Sequence, residues 1–547
     1  MAISEFNQQA LRKRVGILGL IQGAARDALQ RRGYACYDIS LTDFPAEIEL
    51  STTEAIIVVQ PPGSLLRDEL VACIPALNFD CRVYVQRATD ARSVTLLNRT
   101  VEKLTPTREV NVTQPAWRFD PSCFEREESS GEPLYEPAVH FITAESPAAW
   151  EALATLIGRN PAERLRSAPI EILGDDANGL SDEQRALLRR AFFDCRKVLM
   201  CKKSNGLSGI GTYEVLAWQG ESLVASDWPV RFFVKLGDRS KVLVEYRKYV
   251  WNVMENVPFH LGPRLRLDRC CLGATEGLIV SDYVSDAEAL RDCAREGRGT
   301  TAIANLFNRT LWAWRRGAKV EDCSLADHLL ARLNRAAPAH RWPLCAQLGA
   351  TCSIDQLKSL FARCASTRVL LGVVHGDLHA TNVLVRQSDA VLIDLEKVGG
   401  GHPLLFDAAS LEGGLLIDGF IQNDSRPVSE ILASIRTLYE REAFRSDDHF
   451  CEPPSPSQWY FDSVRQIRMQ ARQLERGGAE DLQYAWTLAA VLVQKSTNPY
   501  DFNFLEDGSP APDGRRREEV RAMAYVVAEI ILKQLGASGD EPGSRET

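Results

Sequence analysis

The chain has no apolar run near the about 18–20 residues that a membrane-spanning helix needs. Its most apolar stretches, Ala489–Gln494 and Ala524–Leu532, stop far short of that length. CxxC pairs are missing too: the 14 Cys are scattered, and the adjacent Cys270 and Cys271 lack metal-ligand spacing. That excludes a disulfide framework and a structural zinc, and points to reduced thiols filling apolar positions. A basic excess is also absent. A net charge of −9 argues against a protein that grips nucleic acid over a whole face. The first twenty residues, MAISEFNQQALRKRVGILGL, carry too short an apolar stretch for a secretory signal, and no small-residue cleavage site follows. The expectation is a cytoplasmic protein with neither membrane nor nucleic acid as partner. What is present, 547 residues with 45% hydrophobic and 25% charged side chains, is enough for roughly two to four domains at about 150 residues each.

Without internal repeats, the order of elements carries the organisation. Arg14–Leu20 reads as a strand, Gly23–Gly33 as a helix ended by glycine, then Ala55–Gly63 and Cys81–Ala88 as further strands. This βαβαβ rhythm predicts a parallel sheet covered by helices, a flavodoxin-like or Rossmann-like α/β module over 1–115. Gly16, Gly19 and Gly23 do not form GxGxxG, and Gln60 stands where a phospho-accepting receiver domain would place an Asp. An interaction or regulatory module that binds a protein partner is therefore expected. Residues 116–179, rich in Pro and Glu, read as linker with a small helical piece. Leu180–Lys197 reads as one helix, with Ser181 as N-cap and Gln184 closing a capping box.

Strands follow, and after about Asp286 helical spacing dominates. Within that region lies VVHGDLHATNVLV, Val373–Val385. Phosphoryl transfer from ATP needs a group that positions the acceptor hydroxyl and oxygen ligands for Mg²⁺. Asp377 is a candidate base and Asn382 a candidate metal ligand. AVLIDLE (Ala390–Glu396) delivers Asp394 at the end of an apolar strand, as a second ligand. A hairpin in which these residues cap turns is the competing reading of each residue taken singly. Upstream, Lys197–Trp218 reads strand, glycine-rich turn, strand, with Gly206, Ser208, Gly209 and Gly211 able to approach phosphate. Lys235 lies in the apolar strand Val230–Gly237, and Glu245 in the following helix is its candidate partner, with Glu255 nearby. In this order the chain resembles the two-lobe kinase-like plan, in which Leu278–Ser285, containing Asp282, would be the last strand of the small lobe and the hinge that receives adenine.

HGDLHATN followed by LIDLE resembles the signature of the aminoglycoside phosphotransferase and choline kinase-like family, distant relatives of protein kinases. The resemblance implies a two-lobe protein-kinase-like fold with a mostly helical C-lobe: N-lobe over 180–285 and C-lobe over 286–535; the last dozen residues, GASGDEPGSRET (536–547), read from their composition as a disordered tail. The resemblance also implies Asp377 as catalytic base, His375 as the brace of its loop, and Asn382 and Asp394 as Mg²⁺ ligands. Ser208, Gly209, Gly211, Lys235, Glu245 and Asp282 would serve ATP. His379 would pack the loop, and Asp407 would play a structural part. IDLE replaces DFG, and GHPLLFDAASLE (Gly401–Glu412) leaves no room for an activation segment, which favours a small-molecule acceptor over a protein. The second reading, of another class, is a nucleotide-binding sensor or adaptor in a multi-component signalling or defence system. Asp447, Asp448 and Glu452 could line an acceptor site or simply form a solvated loop. Trp312 and Trp314, two apart on one helix, cannot share a face.

Overall fold

A computed structural model describes residues 14–19, 21, 23–38, 53–59, 82–86, 108–110, 139–142, 146–158 and, between 170 and 536, all but 193, 206–209, 220–227, 255, 268, 273–275, 334, 336–337, 422–423, 447–454, 477–480 and 499–513. The chain divides into two compact units, Met1–Tyr246 with Leu265–Tyr283, and Arg247–Arg264 with Val284–Thr547.

The first unit holds two six-stranded sheets. One comprises β1 (Arg14–Leu18), β2 (Ala35–Asp38), β3 (Thr53–Val59), β4 (Arg82–Gln86), β5 (Arg108–Val110) and β6 (Val139–Ile142), in the order β2-β1-β3-β4-β6-β5. Every pairing in it is parallel, and its first four strands keep the 2-1-3-4 order of doubly wound sheets. Ala55, Ile56, Ile57 and Val58 are all buried, because a central parallel strand is covered on both faces. Helices α1 (Gly23–Arg31) and α2 (Pro147–Gly158) pack on it through Ala25, Ala28, Leu29, Trp150 and Leu153. The segment read as linker thus contributes a strand between β4 and β5, and a helix with a buried Trp. Its Pro and Glu content masked a four-residue apolar strand whose partners lie far away in the chain.

The other sheet has the order β11-β12-β10-β9-β8-β7: β7 (Glu171–Leu173), β8 (Cys195–Asn205), β9 (Gly211–Gln219), β10 (Val230–Asp238), β11 (Cys271–Leu272) and β12 (Glu276–Asp282). It is antiparallel except for β7 with β8. Helix α3 (Asp182–Ala191) begins at Ser181 with the expected capping box to Gln184. It ends six residues before Lys197, and Cys195 already opens β8. The stop coincides with Asp194, which turns aside to take a bidentate pair from the buried Arg269 at 2.8 and 2.7 Å. Phe232, Val234 and Leu236 of β10 face Leu187, Leu188 and Phe192 across this core. The period of two therefore turns Lys235 to the opposite face, where helix α4 (Arg239–Asn252) follows directly.

The second unit is mostly helical among the described residues. Two three-stranded sheets, β13 (Glu288–Ala289) with β16 (Val383–Arg386) and β17 (Asp389–Leu392), and β14 (Lys319–Asp322) with β15 (Arg368–Val374) and β18 (Gly399–Pro403), carry the polar loop. Helices α5 (Leu405–Ile421), α6 (Gln458–Arg472), α7 (Gln483–Ser496) and α8 (Gly514–Gly536) form the body. Trp314 is buried and donates to the Asn252 carbonyl at 2.6 Å, whereas Trp312 is half exposed under Arg316. No described helix is long and apolar enough to cross a membrane.

Candidate active site

Lys235 leaves β10 on the face away from the aromatic core, with its side chain 13% exposed, and its Nζ meets Glu245 Oε1 at 2.7 Å. The pairing is local in origin. A strand end and the next helix, ten residues apart, bring a cation and a carboxylate together out of water, where each needs the other. Gly211 is the first residue of β9, paired with Asn205 and Leu236, and the Tyr213 ring folds over it, so a Cβ there would lie 2.7 Å from the Tyr213 hydroxyl. It is thus a strand residue, not the apex of the turn. Ser208 and Gly209, with Gly206, lie outside the described residues, as do Glu255, Asp447, Asp448 and Glu452. Asp282 ends β12, and Arg266 lies 3.5 Å from its carboxylate.

In the second unit the loop between β15 and β16 gathers the polar cluster. Buried Asp407, in the first turn of α5, accepts the backbone N–H groups of His375 at 2.8 Å and of Gly376 at 3.1 Å. Burial raises its carboxyl above the ordinary range, against the pull of His375, these two N–H donors and Arg332. His375 is fully buried, its Nε2 3.0 Å from the Ile393 carbonyl, so it ties this loop to the residue just before Asp394. Gly376 has φ 77°, and a Cβ there would lie 2.4 Å from the Lys397 carbonyl oxygen. Only glycine fits so close a backbone approach at that φ.

These anchors leave Asp377 with its side chain 30% exposed. Lys397 Nζ lies 2.5 Å from its Oδ2 and Lys495 Nζ 3.8 Å from its Oδ1. Burial pushes the Asp377 carboxyl up, but the Lys495, His379 and Lys397 charges outweigh it and hold the group well below the usual carboxylate range. Asn382 donates its side-chain amide to the Asp377 carbonyl at 3.0 Å, and its own carbonyl accepts from Ile393 N–H at 3.0 Å. Asp394 is exposed and sits at φ 59°, a left-handed conformation that costs a non-glycine residue free energy and collects at functional sites. His379 shares a 2.7 Å hydrogen bond with Thr381, and burial and Lys495 keep its ring below the usual histidine range. It packs the loop onto α5: a Cβ on Gly414 would meet His379 Cβ at 2.7 Å.

The donor set bears on a cation. Among the described residues no group of three or more His, Cys, Asp or Glu could hold a metal ion. Mg²⁺ asks for less, one or two protein oxygens with phosphate and water completing the shell. The side-chain oxygens of Asn382 and Asp394 suit that demand: the amide N–H of Asn382 is spent on Asp377, and the two strands are stitched by the Ile393–Asn382 bond.

Sequence reading missed Lys397 and Lys495. Lys397 stands three residues after Asp394, and its proximity to Asp377 follows from the backbone contact at Gly376. Lys495 closes α7, whose sequence reads only as an apolar helix.

The family model of ternary complex associated domain 9 matches residues 355–495, a stretch that holds the loop, Asp394, Asp407 and Lys495. It is not a model of the aminoglycoside phosphotransferase and choline kinase-like family that the motifs resemble. No curated protein matches the chain. Solved structures similar to it include an amicoumacin kinase, hAmiN, in complex with AMP-PNP, Ca²⁺ and Ami, at 12% identity over 64% of this chain and 96% of that one, with a TM-score of 0.33. A glucosamine kinase with glucosamine, ADP and inorganic phosphate is 13% identical over 66% and 88%, with a TM-score of 0.34. A thermostable mutant of aminoglycoside phosphotransferase APH(4)-Ia is 11% identical over 62% and 95%, with a TM-score of 0.32. The functional reading therefore rests on the geometry of this chain.

Proposed function

We propose that the chain is an ATP- and Mg²⁺-dependent phosphotransferase that phosphorylates a hydroxyl or amino group of a small molecule. The observation that carries this reading is the loop itself. Asp377 projects from a backbone pinned by Asp407, and Asn382 is tied to its carbonyl, beside a left-handed Asp394. Bound Mg·ATP supplies the electrophilic γ-phosphorus and a neutralised leaving group. Lys235, oriented by Glu245, and the glycine-rich turn hold the triphosphate, with Asp282 serving the adenine end. Asn382 and Asp394 hold the cation. Asp377 orients the acceptor and takes its proton late, as the new P–O (or P–N) bond forms and the β–γ bridge breaks to release ADP. On this reading 180–285 and 286–535 act as the two lobes of a kinase-like fold. The module at 1–115 is a flavodoxin-like domain for a protein partner, and the protein works in the cytoplasm.

The test pairs an ATP-consumption assay over candidate acceptors with thermal shift by Mg·ATP. Asp377→Ala abolishes turnover and keeps the Mg·ATP shift, whereas Asp394→Ala loses most of that shift. Robust transfer by the Asp377 variant would sink the assignment. The description of the matching family as associated with a ternary complex, together with the additional parallel sheet, favours one second reading, a nucleotide-binding sensor or adaptor in a multi-component system. A Mg·ATP shift without turnover on any acceptor selects it.

A further inference from the structure

We infer that the acceptor carries an anionic group, a carboxylate or phosphate, beside the group that is phosphorylated, and that Lys397 and Lys495 receive it; this rests on the phosphotransferase reading of the same site. Both oxygens of Asp377 face an ammonium group, Lys397 at 2.5 Å and Lys495 at 3.8 Å. Each carboxylate oxygen can accept more than one hydrogen bond, so an acceptor hydroxyl can share Asp377 with both lysines; once Asp377 takes the acceptor's proton, however, its charge is gone and both ammonium groups lose their anion.

Lys495 cannot simply swing into water. Its side chain is only 21% exposed, and its Cδ lies 3.8 Å from where a Cβ on Gly413 would stand. Gly413 and Gly414 are consecutive on α5. The first gives room to Val491, Leu492 and Lys495 of α7, and the second to His379 of the loop. The glycine pair thus lets α7 and the loop close in on α5 from two sides, which sets the Lys495 ammonium at Asp377. A part-buried cation held there against its desolvation cost needs an anion in every state of the site.

Lys397 complements it. Its main chain is locked against Gly376, while its side chain is 61% exposed and can follow a ligand. Two other carboxylates of this region have partners of their own: Asp407 accepts two backbone donors, and Asp418 faces His379 at 3.8 Å. An amino-sugar ammonium brought to this spot meets two like charges. A hydroxy acid or a sugar phosphate brings the missing one.

The experiment uses the full chain with saturating Mg·AMP-PNP. Thermal shifts are recorded with malonate and with inorganic sulfate as anion probes, in wild type and in Lys495→Gln and Lys397→Gln. ADP formation from ATP is then followed with gluconate and glucose 6-phosphate, with glucose, and with glucosamine. The expected result is a saturable anion shift in wild type that falls at least tenfold in apparent affinity in Lys495→Gln. The expected order of kcat/KM is anionic above neutral above cationic acceptors, compressed in the Lys variants. If wild type and Lys495→Gln respond alike to both anions, or glucosamine is preferred, the inference is overturned. An equal loss in Lys495→Gln toward all acceptors also overturns it, and assigns the lysine to the transferred phosphoryl group. Loss of the Mg·AMP-PNP shift itself in wild type signals failure of the phosphotransferase reading instead, so the two failures separate.

Discussion

The Asp407 carboxylate accepts the backbone N–H of His375 at 2.8 Å and the next N–H, of Gly376, at 3.1 Å. One buried side chain from α5 thereby fixes the loop two residues ahead of Asp377. Asp407→Ala leaves a buried donor, His375 N–H, and a part-buried one, Gly376 N–H, without a partner, at about 1–3 kcal/mol for the buried one and less for the other. The expected outcome is a loss of stability of that order in urea unfolding, with a fall in turnover larger than the fall in Mg·ATP affinity. Asp407→Asn retains one acceptor oxygen and falls between wild type and Ala. A wild-type urea midpoint for Asp407→Ala would remove Asp407 from this role.

Lys235 and Glu245 meet at 2.7 Å on the face of β10 turned away from the aromatic core, and the carboxylate acts through the lysine. Lys235→Met is expected to weaken Mg·ATP at least tenfold by titration calorimetry. Glu245→Gln weakens it less, and adding Glu245→Gln to Lys235→Met changes little further. A double-mutant cycle should return a coupling of about 0.5–3 kcal/mol, the range for residues in contact. Strict additivity would mean that Glu245 serves something other than Lys235.

Legibility from sequence followed the range of the constraint. The Lys235–Glu245 pair and the contact of Asn382 with Asp377 were readable because the partners lie five to ten residues apart in the sequence. The parallel pairing of β1 to β4 was readable from short apolar runs alternating with helical spacing. What stayed hidden depends on contacts distant in sequence. β6 joins its sheet beside a strand some fifty residues earlier. The helix from Leu180 stops before Lys197, where Asp194 meets Arg269, 75 residues on. Lys495 reaches Asp377 across more than a hundred residues.

The charge environment of Asp377 sets a pH signature. Burial alone would raise its carboxyl, yet Lys495, His379 and Lys397 together hold it below the ordinary value, which is about 3.9 in model peptides. A depressed native pKa contributes stability that is present above the unfolded value and is lost as pH falls through the native one. Asp377 therefore stays ionised from pH 8 to pH 5, and any acid limb of turnover in that window belongs to another group. In Lys397→Met/Lys495→Met the burial remains and two cations are gone, so the carboxyl rises above the wild-type value. Carboxyl ¹³C titration, assigned by comparison with Asp377→Asn, reads the direction. An unmoved resonance would mean that the lysines do not govern this group.

The last prediction concerns what holds α5 itself. Glu412 and Arg468 are buried to within 1% of completely and join α5 to α6 through two hydrogen bonds of 2.7 and 3.1 Å. The Tyr484 hydroxyl of α7 donates to the same carboxylate at 2.7 Å, and Arg468 also donates to the Leu438 carbonyl at 2.6 Å with the Phe444 ring at 4.0 Å. Glu412→Gln strands a buried guanidinium charge, and removing one partner of such a pair typically costs about 3–5 kcal/mol. Replacing both, as Glu412→Leu/Arg468→Met, should recover most of that loss, because the pair itself buys little net stability. Since α5 also carries Asp407, the single variant should speed hydrogen exchange at the His375 and Gly376 amides, and the double variant should slow it again. If the amides keep their protection while Glu412→Gln loses several kcal/mol, the pair stabilises the helical body alone, and the loop depends on Asp407 without help from α6.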